Sequence, residues 1–138
     1  MGSLLFYVRS ADNTILNALN IIVRQIGSAT DLTEKWTTQL LNYMETQPDA
    51  TLPYWDSEMI LKGHSDASYL NKDNTISRFA GYFFMGHKQH YIQPFCLNGA
   101  IVVTVSILKL VAASAAEAEL GGIFQNGQTE TKLRLTLM

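Results

Sequence analysis

Twelve of the 138 residues are acidic, few enough for each carboxylate to be weighed by its surroundings. Asp66 lies in Gly63-His64-Ser65-Asp66-Ala67-Ser68, where Met59, Ile60 and Leu61 lead into a strand expected to end near Asp66. A carboxylate on a rigid strand end can hold a divalent cation against a phosphate; an ordinary turn or cap residue is the plainer alternative. Glu117 and Glu119 are two apart, so on a helix they project about 200° from each other. Glu119 falls on a stripe with Ala112, Ala115, Ala116 and Ile123 that is expected to face a sheet, whereas Glu117 is expected to face water. A carboxylate on such a stripe is costly unless it is paired, protonated or metal-bound. Small neighbours leave room for an ion.

Other constellations carry less. His87 and His90 stand three apart with Cys96 nearby and His64 more distant. The set contains zinc-ligand types without a second closely spaced pair. No glycine-rich phosphate loop is present. Arg78, Lys88, Lys109, Lys132 and Arg134 are scattered, and read as surface charge unless Arg78 and Lys88 gather near Asp66 to touch phosphates. With 10 basic and 12 acidic residues the net charge is −2, which argues against gripping nucleic acid by bulk charge alone. Apolar residues make up 47% and charged residues 16%, which excludes a disordered polar tail. A single cysteine excludes an intramolecular disulfide framework and fits a reducing compartment. The first residues lack the basic flank of a signal peptide, and Phe6 breaks the myristoylation pattern. The apolar window from Ala100 to Ala116 is interrupted by Lys109 and is short for a bilayer. The expectation is a cytoplasmic or nuclear protein, not secreted, with no membrane partner.

The elements that must position these residues follow from periodicity. Asp12 and Asn13 can cap a helix carrying Ile15, Leu16, Leu19, Ile22, Val23 and Ile26 at near 3.6-residue spacing, stopped by Gly27 and Ser28. Asp31 and Glu34 form a capping-box pair for a second helix with Leu32, Trp36, Leu40 and Tyr43 or Met44 on one side, ended by Pro48 and Pro53. Three strands are expected next, around 59–66, 79–85 and 101–105, with Asn98-Gly99 as a turn signal. An alanine-rich helix over 112–124 follows. Short connections predict an antiparallel meander covered by helices.

On these residues the chain resembles the polyprotein of copia-type LTR retrotransposons. Gly63-His64-Ser65-Asp66-Ala67-Ser68-Tyr69-Leu70 looks like the first strand of that family's ribonuclease H domain. Ser77-Arg78-Phe79-Ala80-Gly81-Tyr82-Phe83-Phe84 resembles its second strand, and Ala112-Ala113-Ser114-Ala115-Ala116-Glu117-Ala118-Glu119-Leu120 is similar to its Ser-Ser-x-Glu-Ala-Glu-Tyr motif. Upstream, Leu40 to Met44 followed by Pro48-Asp49-Ala50-Thr51 looks like the segment joining reverse transcriptase to ribonuclease H. The three motifs also keep the family's order and spacing.

The resemblance implies an α/β chain: a truncated ribonuclease H-like fold, three antiparallel strands plus a helix, preceded by two helices. Residues 1–54 would be the connection segment and residues 55–138 a partial ribonuclease H-like domain. The family hydrolyses the RNA strand of RNA–DNA hybrids with Mg²⁺ or Mn²⁺ held by acidic residues. The resemblance assigns two of those roles, catalytic and metal-holding, to Asp66 and Glu119. The family's next catalytic Asp lies on a strand after this helix, and the surroundings of Glu130, the last acidic residue, do not resemble that strand. The expectation is therefore a fragment with poor Mg²⁺ affinity, inactive or weak alone, with an exposed strand edge open to self-association. The alternative is a host-recruited, non-catalytic interaction module that uses the exposed sheet.

Overall fold

The structure, a computed structural model, describes residues 2–71, 76–89 and 96–137. Two compact units divide the chain, residues 1–52 and residues 53–138.

The first unit is helical. It contains α1 (Gly2–Ser10), a 3₁₀ turn at Asn13–Ile15, α2 (Leu16–Gln25), a second 3₁₀ turn at Ile26–Ser28, and α3 (Asp31–Glu45). Three helices stand where two were expected. The run Leu4-Leu5-Phe6-Tyr7-Val8 is continuously apolar and carries no cap signal, so α1 leaves no periodic trace; Val8 is nonetheless fully buried. Asp12 does start the second helical stretch, accepting the Thr14 backbone N–H at 3.0 Å and the Thr14 hydroxyl. Ile15, Leu16, Leu19 and Ile22 form the buried stripe, while Val23 and Ile26 are exposed. The cap of α3 is not the Asp31–Glu34 pair. It is Thr30, whose N–H donates to Thr33 Oγ1 at 3.2 Å. Thr33 is buried and donates to Gln25 Oε1 at 3.0 Å, which ties α3 to α2. Asp31 and Glu34 lie in the first turn, where negative charge suits the helix dipole.

The second unit is a three-stranded open sheet with one long helix. The strands are β1 (Ile60–Asn71), β2 (Ile76–Gly86) and β3 (Ala100–Ile107), antiparallel in the order β1-β2-β3. Helix α4 (Ala115–Leu137) crosses β1 and β2. Two expected boundaries move. Strand β1 does not end near Asp66; pairing continues past it, through an irregularity between Ser68 and Asn71 where Leu70 takes a positive φ of 44°. Helix α4 runs to Leu137 although Gly121, Gly122 and Gly127 weaken its propensity, because packing on the sheet outweighs that cost.

The seat of α4 explains its glycines. Positions aligned across the sheet are Gly63, Phe83 and Val102, then Ser65, Gly81 and Thr104, then Ala67, Phe79 and Ser106. A Cβ on Gly122 would lie 3.2 Å from Ala67 Cβ and 3.3 Å from Phe79 Cβ, so helix and sheet are in close approach there. A Cβ on Gly81 would fall 2.3 Å from Asn126 Oδ1. Asn126, buried, donates from Nδ2 to Ser65 Oγ and to the Ala80 carbonyl, both at 2.8 Å. One amide thus registers α4 on β1 and β2.

A second clamp closes the far end of the sheet. Asn98 Oδ1 accepts the Trp55 N–H at 2.7 Å, and its Nδ2 donates to the carbonyls of Trp55 at 2.9 Å and Met85 at 2.8 Å. Tyr82 donates to the Asn98 carbonyl and Tyr54 to the Ala100 carbonyl. Asn98-Gly99 is therefore no hairpin turn; it is the bracket that pins residues 53–55 across the strands.

Candidate functional site

The contacts of α4 fix where each carboxylate points. Ser65 and Ala67 meet the helix, so by strand alternation Asp66 projects from the opposite face of the sheet. It is exposed, lies opposite Ala80, and is flanked along β1 by His64 and Ser68 on its own face. On α4 the sheet-facing stripe is Ala118, Gly122 and Asn126, all buried. That is one position away from the expected stripe: Ala115, Ala116 and Ile123 are exposed, and Ala112 precedes the helix.

Glu119 flanks this stripe and is half-buried. Which flank it occupies follows from two contacts. A Cβ on Gly121 would meet Leu108 and Leu110, which follow β3, so that side of α4 faces the β3 side of the sheet. Glu130 Oε2 lies 3.6 Å from the place of a Cβ on Gly63, so its side faces β1. At about 100° per residue Glu119 and Glu130 are only about 20° apart around the helix, both on the β1 flank. Strand β1 is an edge of the sheet. Asp66 below that edge and Glu119 above it can therefore approach one ion only around the strand. Gly122 levels with Ala67 and Asn126 with Ser65, which puts the Cα atoms of Asp66 and Glu119 about 8 Å apart along the strand direction. Glu130 lies at a similar offset on the other side of Asp66, about three helical turns from Glu119. The sequence offered no strand-like surroundings for Glu130, and the structure places it on the same helix as Glu119. Its signal, an 11-residue spacing from Glu119, is legible only if the helix is carried past Phe124.

Glu117 has a different task. Its Oε2 accepts the Ala113 N–H at 2.7 Å, while its own N–H donates to Ser114 Oγ at 3.2 Å. It is exposed, and it caps α4. By contrast Asp66, Glu119 and Glu130 make no hydrogen bond or ion pair among the described residues. Within those residues, no three His, Cys, Asp or Glu side chains gather as a metal-holding group. Asp66 and Glu119, on opposite sides of the β1 edge, do not make the donor set of a two-metal centre.

The zinc constellation does not assemble among the described residues. His64 stacks on Phe84, ring centroids 5.8 Å apart and planes 5° from parallel. His87 Nδ1 lies 4.0 Å from Glu58 Oε2, Cys96 is exposed, and His90 lies outside the described residues. Arg78 is on β2 opposite Ser68, diagonal to Asp66 on the same face, whereas Lys88 lies beyond the other end of that strand. Among the described residues no helix is long and apolar enough to cross a membrane. Comparison of the chain with protein-family profiles, with curated proteins and with solved structures returned no match.

Proposed function

We propose that residues 53–138 are a ribonuclease H-related unit of a copia-type retrotransposon polyprotein, in which Asp66 and Glu119 are the metal-holding carboxylates. The parent activity would be hydrolysis of RNA in RNA–DNA hybrids with Mg²⁺ or Mn²⁺. The observation that supports the reading most directly is the order and seat of the elements: an antiparallel three-stranded meander with Asp66 inside β1, followed by a helix packed on β1 and β2 that carries Glu119 on its β1 flank. Two unpaired carboxylates, with Glu130 further along the same flank, are fewer ligands than in-line two-metal hydrolysis uses. The 138-residue chain alone is therefore a weak or inactive nuclease.

The decisive measurement is Mn²⁺ titration of ¹⁵N-labelled protein. Paramagnetic broadening is expected to centre on residues 64–68 and 117–121, in the millimolar range, and to vanish in Asp66→Asn. Broadening absent from both segments would sink the assignment. Hybrid cleavage assayed in parallel is expected at or near background. Efficient metal-dependent cleavage that Asp66→Asn abolishes would keep the family reading and overturn the inactivity.

One observation favours an interaction role beside this. The edge of β1 is unpaired in the sheet, and Gly63 to Asp66 are exposed in succession. If a second copy pairs there antiparallel about His64, Lys62 of each copy faces Asp66 of the other, so the register carries its own charge complementarity. Asp66→Lys is expected to disperse such a dimer in sedimentation experiments and Lys62→Asp with Asp66→Lys to restore it. A chain monomeric at high concentration refutes this role.

A further inference from the structure

A cleft of about 520 Å³ lies at the clamped end of the sheet. Its walls include Trp55, Lys62, Gly86, His87, Lys88 and Asn98. That volume is in the range of small-ligand sites. Three features make it specific. First, Trp55 is held by its backbone, donor and acceptor both taken by Asn98, while the residue is 68% exposed. A fixed backbone under a bare indole is a stacking platform with little left to order on binding. Second, Gly86 has no Cβ, and the Lys62 stem lies across it: a Cβ there would meet Lys62 Cδ at 3.1 Å and Cε at 3.2 Å. The missing side chain lets the Lys62 ammonium end reach the cleft. Third, Glu58 is occupied with the Lys88 backbone N–H and with His87, and the Lys88 ammonium makes no ion pair among the described residues. Among the described residues of the wall, Asp56 is the one carboxylate, against two lysines.

A flat aromatic face beside two ammonium groups suits an aromatic anion. We propose that this cleft binds a nucleotide, its base stacked on Trp55 and its phosphate at Lys62 and Lys88. Stacking is tolerant of base identity, because every base has a π-face, so the site selects nucleotides as a class and not a sequence. The inference does not rest on the ribonuclease H reading, since it uses neither Asp66 nor Glu119.

The chain has two tryptophans, so Trp36→Phe leaves Trp55 as the only indole reporter. Titration of that variant with thymidine monophosphate, with a six-residue oligothymidylate and with inorganic phosphate tests the proposal. Saturable quenching by the oligonucleotide is expected, and none by phosphate alone. Equal quenching by the monophosphate identifies a free-nucleotide site; a requirement for the oligonucleotide identifies an unpaired strand; either result upholds the proposal. In the otherwise wild-type chain, Trp55→Ala is expected to weaken binding of a dye-labelled oligothymidylate about tenfold or more. Lys88→Gln should lower the slope of log affinity against log salt by about 0.7. Asp66→Asn should leave this binding intact while losing Mn²⁺, so failure here and failure of the metal site are told apart. No saturable quenching in a variant with native circular dichroism, quenching by phosphate alone, or unchanged oligonucleotide binding in Trp55→Ala each overturns it.

Discussion

If one amide seats α4 on the sheet, Gly81 and Asn126 must be energetically coupled. Gly81→Ala places a methyl 2.3 Å from Asn126 Oδ1 and 2.7 Å from Thr104 Oγ1. Overfilling of that kind costs about 1–3 kcal/mol. Asn126→Ala removes two hydrogen bonds of 2.8 Å, to Ser65 Oγ and the Ala80 carbonyl, and a longer one accepted from Thr104 Oγ1 at 3.4 Å, and opens a small cavity. At about 1 kcal/mol for each of the shorter bonds the loss is about 2 kcal/mol. Added independently the two changes would cost about 4 kcal/mol. In the double variant, however, the nearer clashing atom, Asn126 Oδ1, is gone, the methyl fills part of the vacated space, and the Thr104 hydroxyl, released from Asn126, can turn away. The double variant is therefore expected to cost about 2 kcal/mol, a coupling of about 2 kcal/mol, well outside ordinary additivity of about 0.5 kcal/mol. Urea denaturation in the Trp36→Phe background reads the second unit through Trp55. In thermal melts each kcal/mol should appear as about 4–8 °C for a unit of this size. Additive single effects would mean that Asn126 does not lie over Gly81, and the placement of Glu119 on the β1 flank would lose its anchor.

The remaining predictions are more local. Met59 is mostly exposed at a φ of 57°, so Met59→Gly should stabilise by about 0.5–1 kcal/mol, the relief of left-handed strain less the added chain entropy; an unchanged or lower urea midpoint refutes it. Glu117→Ala should cost about 1 kcal/mol and speed amide exchange at residues 115–118, whereas Glu119→Gln should leave both unchanged and affect only metal binding. Burial raises the Tyr82 phenol above its ordinary value near 10. The folded state thus holds that proton more tightly than the unfolded state. The associated stability is intact below pH 10 and falls as pH rises through the folded value. Ultraviolet titration should show one late-ionising tyrosine that is absent in Tyr82→Phe, and its absence from the wild-type curve would refute the burial.

Much of the second unit was legible in residue order, because the aromatic content of Phe79 to Met85 and the β-branched run Ile101 to Val105 are local properties. The facing of the helix was not. Sequence periodicity assigned Ala112, Ala115, Ala116 and Ile123 to the sheet by their small or apolar side chains, yet the stripe that docks is Ala118, Gly122 and Asn126. What selects it is closeness of approach: Gly122 against Ala67 and Gly81 under Asn126 admit the helix only in that rotation. Hydrophobicity ranks Asn126 as a surface residue, and only three partners, one on each strand, make it a buried one. The same limit applied to Glu130, which a helix ending at Phe124 leaves out.

By itself the sequence determined which chemistry was on offer: Asp66 and Glu119 as candidate carboxylates, scattered cations and a weak His87, His90 and Cys96 set. It also determined three strands and a helix, and the resemblance that motivates the metal reading. Tertiary structure alone decided that Asp66 and Glu119 lie on opposite sides of the β1 edge, that Asn98 clamps Trp55, and that Lys62 reaches the cleft over Gly86. Local periodicity reports which way a side chain points within its own element. Whether two such directions meet depends on the rotation and register between elements, set here by glycine contacts and one buried amide.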